Sequence, residues 1–227
     1  PVQLMREGRV LSASACSLTV TNDCLRGIYD DMDFFKDKLV LRPSEISNCP
    51  EVIARIGVCS LNTAIECDIY GHVNSTKICG TKMMNGIGGS ADFTNNAFLS
   101  IFTCGSTTKG GAISSIVPFA SHIDHTNHFI DAVITEYGGA DLRHKSDMQK
   151  AEALIQVAHP DYQPLLRDYL KHAKKFGGHT HHVLSAAFGM HDTFIRKGDM
   201  QIEIDGSRKD CFELVLTKDA SEVEDHK

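Results

Sequence analysis

An α/β domain, with a largely parallel sheet flanked by helices, is the architecture to which this chain of 227 residues points. Three observations carry it. Short apolar runs of strand character alternate with segments whose apolar residues recur at helical spacing, as the crossovers of a parallel sheet require. A glycine-rich bend, Asn85-Gly86-Ile87-Gly88-Gly89-Ser90-Ala91-Asp92, runs into a helix expected at Phe93 to Leu99. The composition, 42% apolar and 23% charged, is that of a soluble globular protein with a full core.

Gln3-Leu4-Met5-Arg6-Glu7-Gly8 reads as the last turn of a helix closed by a C′ glycine. A helix needs a beginning, and Pro1 carries neither an initiator Met nor a signal-peptide pattern, so the expectation is a piece of a longer protein. Asn22 or Asp23 caps a helix whose apolar face is Leu25, Ile28, Tyr29, Met32 and Phe35, with Gly27 against it. Leu39-Val40-Leu41 is a short strand ended at Arg42-Pro43. Pro50 to Ile56 is a helix with proline in its first turn, stopped at Gly57. From Val58 to Ile69 the alternation predicts a strand pair or one long bent strand.

Beyond the glycine bend, strands are expected at Leu99 to Phe102, Ile113 to Val117 and Ala132 to Thr135. Ser146-Asp147-Met148-Gln149 is a capping box for a helix carrying Met148, Ala151, Leu154, Ile155 and Ala158, which His159-Pro160 ends. A last helix runs from about Pro164 to Lys175, apolar at Leu165, Leu166, Tyr169 and Leu170. Lys171, Lys174 and Lys175 complement the negative end of its dipole. Gln201 to Asp205 and Phe212 to Thr217 alternate as a weak hairpin, followed by a polar end from Ala220. The expected organisation is one domain over residues 1–200 and a divergent tail over 201–227.

Several function classes are set aside by composition. A net charge of −6 without a concentrated basic face argues against nucleic acid as a partner. No apolar run approaches the roughly 18 residues of a membrane span. The eight cysteines, at 16, 24, 49, 59, 67, 79, 104 and 211, form no C-x-x-C pair. They read as small core residues in a reducing compartment and not as a disulfide framework.

A glycine-rich bend entering a helix aims backbone N–H groups at one spot, which suits an anion or a developing oxyanion; the alternative is an ordinary strand-to-helix turn. Gly86-x-Gly88-x-x-Ala91 matches the loose dinucleotide fingerprint, but no Asp or Glu occurs between Phe93 and Ile123 to hold a ribose, so NAD and FAD are not expected. Lys109 lacks Walker-loop spacing. His122, His125 and His128 are spaced awkwardly for zinc and read as a polar loop, and His179, His181 and His182 as a solvated turn; no metal is expected. Glu136 stands at the end of a strand beside Gly138 and Gly139, where a carboxylate serves catalysis or substrate contact, or pairs with Arg143. Asn48 and Asn62, each alone, read as caps or turn residues.

Taken together, several strings resemble the acetyl-CoA hydrolase/transferase family. They are Leu41-Arg42-Pro43 with Ile46-Ser47-Asn48 and Pro50 to Ile53, and Asn62-Thr63 followed by Glu66 and Asp68 to Thr76. Asn85 to Phe93, Ile116 to Phe119 with Ser121-His122 and Asp124 to Thr126, Ile134-Thr135-Glu136 and Ala158 to Tyr162 complete the set. Within the family they are most similar to the succinyl-CoA:acetate CoA-transferases. The resemblance spans about Leu4 to Met200, and the tail from Gln201 carries none.

That resemblance implies the carboxyl-terminal half of a two-domain enzyme with a CoA-transferase-like fold. It implies acyl-CoA and small carboxylate substrates, coenzyme A as substrate with no permanently bound cofactor, and a homodimer. A cytoplasmic location is the default, with a mitochondrion or related organelle the alternative. A glutamate attacks the thioester to give a mixed anhydride, CoA thiolate returns to form a glutamyl-CoA thioester, and the acceptor acid exchanges. Gly89 matches the glycine whose N–H helps form the oxyanion hole, with Gly86 and Gly88 beside it at the CoA thioester. Asn48 matches the asparagine that orients the nucleophile, and Glu136 an active-site carboxylate. The nucleophilic glutamate itself is expected a few residues before Pro1; Glu7 does not match it, and the 227 residues alone are expected to be inactive.

Overall fold

The computed structural model describes residues 2–78, 81–175, 194–204 and 207–216. They fall into two compact units, one ending at Val58 and one beginning at Cys59.

In the first unit, helix α1 (Val2–Arg6) ends ahead of Gly8, which takes the left-handed conformation at φ +70°. Strand β1 (Ala13–Ala15) pairs in parallel with β2 (Leu39–Leu41) across helices α2 (Asn22–Asp30) and α3 (Met32–Phe35). The cap of α2 is Thr21, one residue before the expected Asn22, and its hydroxyl accepts from the Cys24 N–H at 3.3 Å. The single helix expected here breaks at Asp31 (φ −126°, ψ 42°). The break resets the helical phase, so the predicted stripe divides: Ile28 and Phe35 are buried with Met5, while Tyr29 and Met32 are exposed. Short α4 (Ser44–Ser47) leads to α5 (Pro50–Ile56), which stops at Gly57 (φ 69°, ψ 51°) as expected for a left-handed C-cap.

The second unit opens with β3 (Cys59–Thr63), β4 (Glu66–Asp68), β5 (Val73–Asn74) and a hairpin of β6 (Lys77–Ile78) and β7 (Lys82–Met83). The glycine bend follows, then helix α6 (Ser90–Asn96) and strand β8 (Leu99–Thr103). A small hairpin of β9 (Thr107–Thr108) and β10 (Ile113–Ser114) precedes β11 (Ile116–Val117), β12 (Ala132–Thr135) and β13 (Gly138–Asp141). Helices α7 (Asp147–Val157) and α8 (Gln163–Lys175) come next, and an antiparallel hairpin of β14 (Phe194–Ile204) and β15 (Ser207–Leu216) follows.

Two sheets place the candidate site. The larger has the order β13-β12-β8-β3, the smaller β11-β4-β5. Strands β3, β8 and β12 are parallel, with Thr63, Thr103 and Ile134 side by side at their carboxyl ends. Strand β13 adds antiparallel to β12, and β5 antiparallel to β4, so the sheets are mixed where a largely parallel sheet was expected. The difference comes from tight turns: a two-residue link at Glu136-Tyr137 returns the chain antiparallel, whereas a parallel partner needs a long crossover. Gly138 and Gly139, beside Glu136, therefore begin strand β13.

Other expectations shift similarly. The stretch from Val58 to Ile69 is two strands, and they belong to different sheets. Ile113 to Val117 divides between β10 and β11, also of different sheets. Helix α6 begins at Ser90, not Phe93, and Leu99 already belongs to β8. The last hairpin is longer than the sequence indicated.

The core of the second unit joins Ile69, Val73, Phe102, Ile116 and Val133 of the sheets and their connections to Leu154, Ile155, Tyr162, Leu166 and Tyr169 of the helical segment. The α7 capping box forms as expected: Ser146 Oγ accepts from the Gln149 N–H at 3.4 Å and Gln149 Oε1 from the Ser146 N–H at 2.9 Å. The buried phenol hydroxyls are satisfied, Tyr70 with Tyr169 at 3.2 Å and Tyr162 with the Ala112 carbonyl. Each would cost about 1–3 kcal/mol if left alone. Six cysteines, at 16, 24, 49, 59, 67 and 104, are free thiols, and of these Cys67 is fully buried whereas Cys16 and Cys59 are exposed. The expected use of cysteine as core residue holds at Cys67 and fails at those two: Cys59 shares with Leu61 a β3 face open to solvent, and Cys16 lies just past the end of β1.

Candidate active site

The connection from β3 to its parallel neighbour β8 passes through α6, which packs on both strands and is tied to β3 by Asn62 Nδ2 donating to Thr94 Oγ1 at 3.1 Å. Because α6 leads into the start of β8, its own start lies toward the carboxyl ends of the parallel strands, where ligands gather in such sheets. The glycine bend is therefore at that edge. Its three candidate glycines differ. Gly88 has φ +55°, a conformation that L side chains rarely adopt, and a Cβ on Gly86 would meet open space. Gly89 is the N-cap of α6 with φ −86° and ψ 7°, which any residue can take. Its carbonyl accepts the Phe93 N–H at 3.1 Å, and among the described residues its own N–H has no acceptor. With only seven residues, α6 has a small dipole, so an anion at this end would rely on the bend's own amides.

The bend is held at both ends. Met84 and Asn85 N–H groups donate to the Thr76 carbonyl at 2.8 and 3.3 Å, and Asn85 Nδ2 donates to the Ser75 carbonyl at 2.8 Å. Asp124 holds Ser75 and Thr76 in turn, accepting the Ser75 N–H at 2.8 Å and the Thr76 hydroxyl at 2.9 Å. Burial opposes its ionisation, but these bonds and His122 at 3.2 Å outweigh burial and hold the carboxyl below its usual range. At the far end Ser90 Oγ meets His125 Nε2 at 3.0 Å. The expected polar loop of histidines thus has three fates: His125 is buried, His122 pairs with Asp124, and His128 is exposed. Among the described residues no group of three or more His, Cys, Asp or Glu is placed to hold a metal. His179, His181 and His182 lie outside the described residues.

Glu136 occupies the turn after β12 at the same edge. Its partner is Ser106, just past β8, whose N–H donates to one carboxylate oxygen at 2.8 Å and whose hydroxyl donates to the other at 2.6 Å. The Ser106 hydroxyl, then its N–H, lower the Glu136 pKa, and the charge of His159 adds to this. Arg143, the alternative partner, pairs instead with Asp141 at 3.0 Å. Burial and the Glu136 charge push the neighbouring Cys104 thiol up to about 12, so it stays protonated and is no rival nucleophile at neutral pH. Ser106 and His159 were not singled out as site residues, although Ser106 follows a strand's carboxyl end by the same rule that selected Glu136.

Asn48 belongs to the first unit. It is the half-buried C-cap of α4, with φ −106° and ψ 13°; its N–H donates to the Ser44 carbonyl at 2.8 Å and its Oδ1 accepts the Ser47 hydroxyl at 3.1 Å. Glu7, just beyond α1, accepts from Gln3 Nε2 at 2.9 Å and is engaged in a local side-chain pair.

Known proteins resemble this chain in sequence and in its mixed α/β fold. Residues 25–170 match the acetyl-CoA hydrolase/transferase C-terminal domain model. Residues 184–227 match a second, the CO dehydrogenase/acetyl-CoA synthase complex beta subunit, where the sequence alone carried no resemblance from Gln201. The propanoyl-CoA:succinate CoA transferase of Escherichia coli is 52% identical over 200 residues, 88% of this chain and 40% of that protein. The succinyl-CoA:acetate CoA-transferase of Clostridium kluyveri is 50% identical over 202 residues, 88% of this chain and 38% of that protein. The crystal structure of RipA from Yersinia pestis superposes with a TM-score of 0.66 at 25% identity, covering 77% of this chain and 41% of that one. The chain belongs to the acetyl-CoA hydrolase/transferase family, and spans about 40% of the length of the first of these curated relatives. Among the described residues no helix is long and apolar enough to cross a membrane.

Proposed function

We propose that these residues form the carboxyl-terminal part of an acyl-CoA:carboxylate CoA-transferase. It moves CoA from succinyl-CoA or acetyl-CoA to an acid such as acetate through a glutamyl-CoA thioester. The observation that carries the reading is the Gly89 N–H, without an acceptor among the described residues and set at the sheet edge of the Ser106–Glu136 pair. A preorganised backbone donor of this kind stabilises charge as it builds on an attacked thioester oxygen, and one such donor is worth on the order of 10²–10³ in rate.

In this mechanism the nucleophilic glutamate comes from the part of the relatives' length that this chain does not match. Asn48 orients it, and Gly86 and Gly88 let the CoA thioester approach the bend without Cβ obstruction. Glu136, kept ionised by Ser106, contacts the substrate or the reacting groups. Acyl-CoA and small acids are the substrates, with no resident cofactor. Homodimer formation stands with this reading on the family resemblance alone, and a cytoplasmic location is its default, with a mitochondrion or related organelle the alternative.

The reading is tested by incubating the 227 residues with succinyl-CoA and acetate, alone and joined to a preceding half taken from a relative. Turnover only in the joined form supports it. Robust turnover by the 227 residues alone would overturn the placement of the nucleophile. If the joined form releases free acid and CoA at the same rate with and without acetate, the activity is hydrolysis and the transferase reading fails. Binding without turnover in the joined form would make the chain a CoA-binding module.

A further inference from the structure

The glycine bend is anchored to one rigid element at two points. Its first anchor is Asn85, on the Ser75 and Thr76 carbonyls. Its second is the Ser90 hydroxyl, on His125 Nε2. Both anchors land on the segments joined by the isolated antiparallel bridge between Val73 and His125. Val73 N–H donates to the His125 carbonyl at 2.9 Å, His125 N–H returns to the Val73 carbonyl at 3.1 Å, and Asp124 grips Ser75 and Thr76. Among the described residues, no other hydrogen bond ties residues 86–90 to the rest of the unit apart from the ladder of α6 itself. With glycine at 86, 88 and 89, the backbone between the anchors has little stiffness of its own.

The chemistry of the second anchor is set by proton count. Ser90 has one hydroxyl proton and gives it to the Ile87 carbonyl at 2.8 Å. The 3.0 Å contact with His125 therefore requires a proton on Nε2, the ring donating to the serine oxygen. The ring is buried, with Phe102 of β8 at 5.0 Å between centroids, so it cannot swing away without opening the core. The peptide that joins Gly89 to Ser90 carries the Gly89 carbonyl and the Ser90 N–H, so fixing Ser90 constrains the Gly89 N–H, which belongs to the preceding Gly88–Gly89 peptide, through the φ −86° and ψ 7° of Gly89.

We propose that His125 is a positioning residue: through the Ser90 hydroxyl its imidazole holds the far end of the glycine bend and so sets the direction of the Gly89 N–H. This rests on the reading of Gly89 as an oxyanion donor for its catalytic meaning, but not for its physical test. Burial lowers the ring's pKa, and Asp124, itself paired with His122, is the charge that opposes that shift; α6 contributes Asp92 in its first turn. Protonation on Nδ1 would leave Nε2–H in place and turn the bond to Ser90 into a charge-assisted one, which pulls harder on the bend.

The test uses the 227-residue chain labelled with nitrogen-15. The Gly89 amide and the His125 ring are followed by proton–nitrogen NMR from about pH 8 to 5, a span that covers the imidazole range. The expected result is a Gly89 signal that moves with the same midpoint as the His125 ring. In Ser90→Ala the ring still titrates while Gly89 ceases to follow it, and Ser90→Thr, which keeps a hydroxyl, restores the coupling. A Gly89 signal that stays still through the wild-type ring titration overturns the proposal, as does coupling that survives in Ser90→Ala. The wild-type titration decides by itself if the alanine variant does not fold. Acyl transfer without this coupling would remove the role of His125 alone; the coupling without transfer would remove the reaction alone.

Discussion

Both carboxylate oxygens of Glu136 are held by one residue, Ser106, thirty positions earlier, through its N–H at 2.8 Å and its hydroxyl at 2.6 Å. The two elements that carry them, β8 and β12, are parallel neighbours, so the pair straddles the carboxyl edge of the sheet.

Replacing Ser106 by alanine leaves the N–H bond and removes the hydroxyl, the largest cause of the lowered Glu136 pKa. The Glu136 titration, read by carbon-13 NMR of its carboxyl, is expected to move up toward the ordinary glutamate value. The sign follows from the depressed folded-state pKa: the ionised pair contributes above the unfolded value and is lost as pH falls through the folded one. A variant whose titration coincides with wild type would show that the hydroxyl does not set the carboxylate's charge.

Gly88 and Gly89 are expected to respond differently to alanine. At Gly88, with φ +55°, a side chain costs about 1–2 kcal/mol, read as a lower urea midpoint. At Gly89, with φ −86°, stability should hold. There the expected loss is in turnover of the active joined form, about 10²-fold for a displacement of the thioester by about an ångström. Equal loss of stability at both positions would contradict the conformational distinction.

Asp68 is fully buried and accepts the Tyr70, His72 and Ala120 N–H groups as well as His72 Nδ1 at 3.1 Å. Asp68→Ala strands those donors and should cost about 3–5 kcal/mol in urea unfolding. The Asp68 hydrogen bond also raises the His72 pKa against the effect of burial. That contribution is full below the unfolded imidazole value, about 6.5, and fades as pH rises through the higher folded one. The stability difference between wild type and His72→Gln should therefore shrink between about pH 6 and pH 8, the imidazole range. A difference independent of pH would exclude the linkage.

Ser60 and Ser100 are paired in register across β3 and β8, and among the described residues neither buried hydroxyl has a hydrogen-bond partner. Removing an unsatisfied hydroxyl removes its desolvation cost, so Ser100→Ala should be neutral or stabilising, by up to about 1 kcal/mol. A loss of more than that in thermal or urea unfolding would mean the hydroxyl is bonded in solution.

The elements that could be read directly are those whose cause is local. The Ser146–Gln149 capping box, the stop at Gly57 and the strand from Ala132 to Thr135 each depend on residues within one or two turns of one another. The glycine bend stands out by loop chemistry and Glu136 by position at a strand end, while Gly89 is picked from within the bend by the family resemblance alone. Ser106 does not stand out, and His125 reads only as part of a polar loop, because their meaning comes from partners 30 and 35 residues away. No periodicity records a hydrogen bond of that range.

Chain order alone established the limits of helix α5, the cap of α7 and which residue types could bear negative charge, since these follow from steric limits and short-range bonding. It could not say that neighbouring strands β3 and β4 belong to different sheets, or that two glycines would form β13. Those outcomes depend on which backbone groups find partners after the chain has folded back. Pairing energy is shared between segments, and neither segment carries it alone.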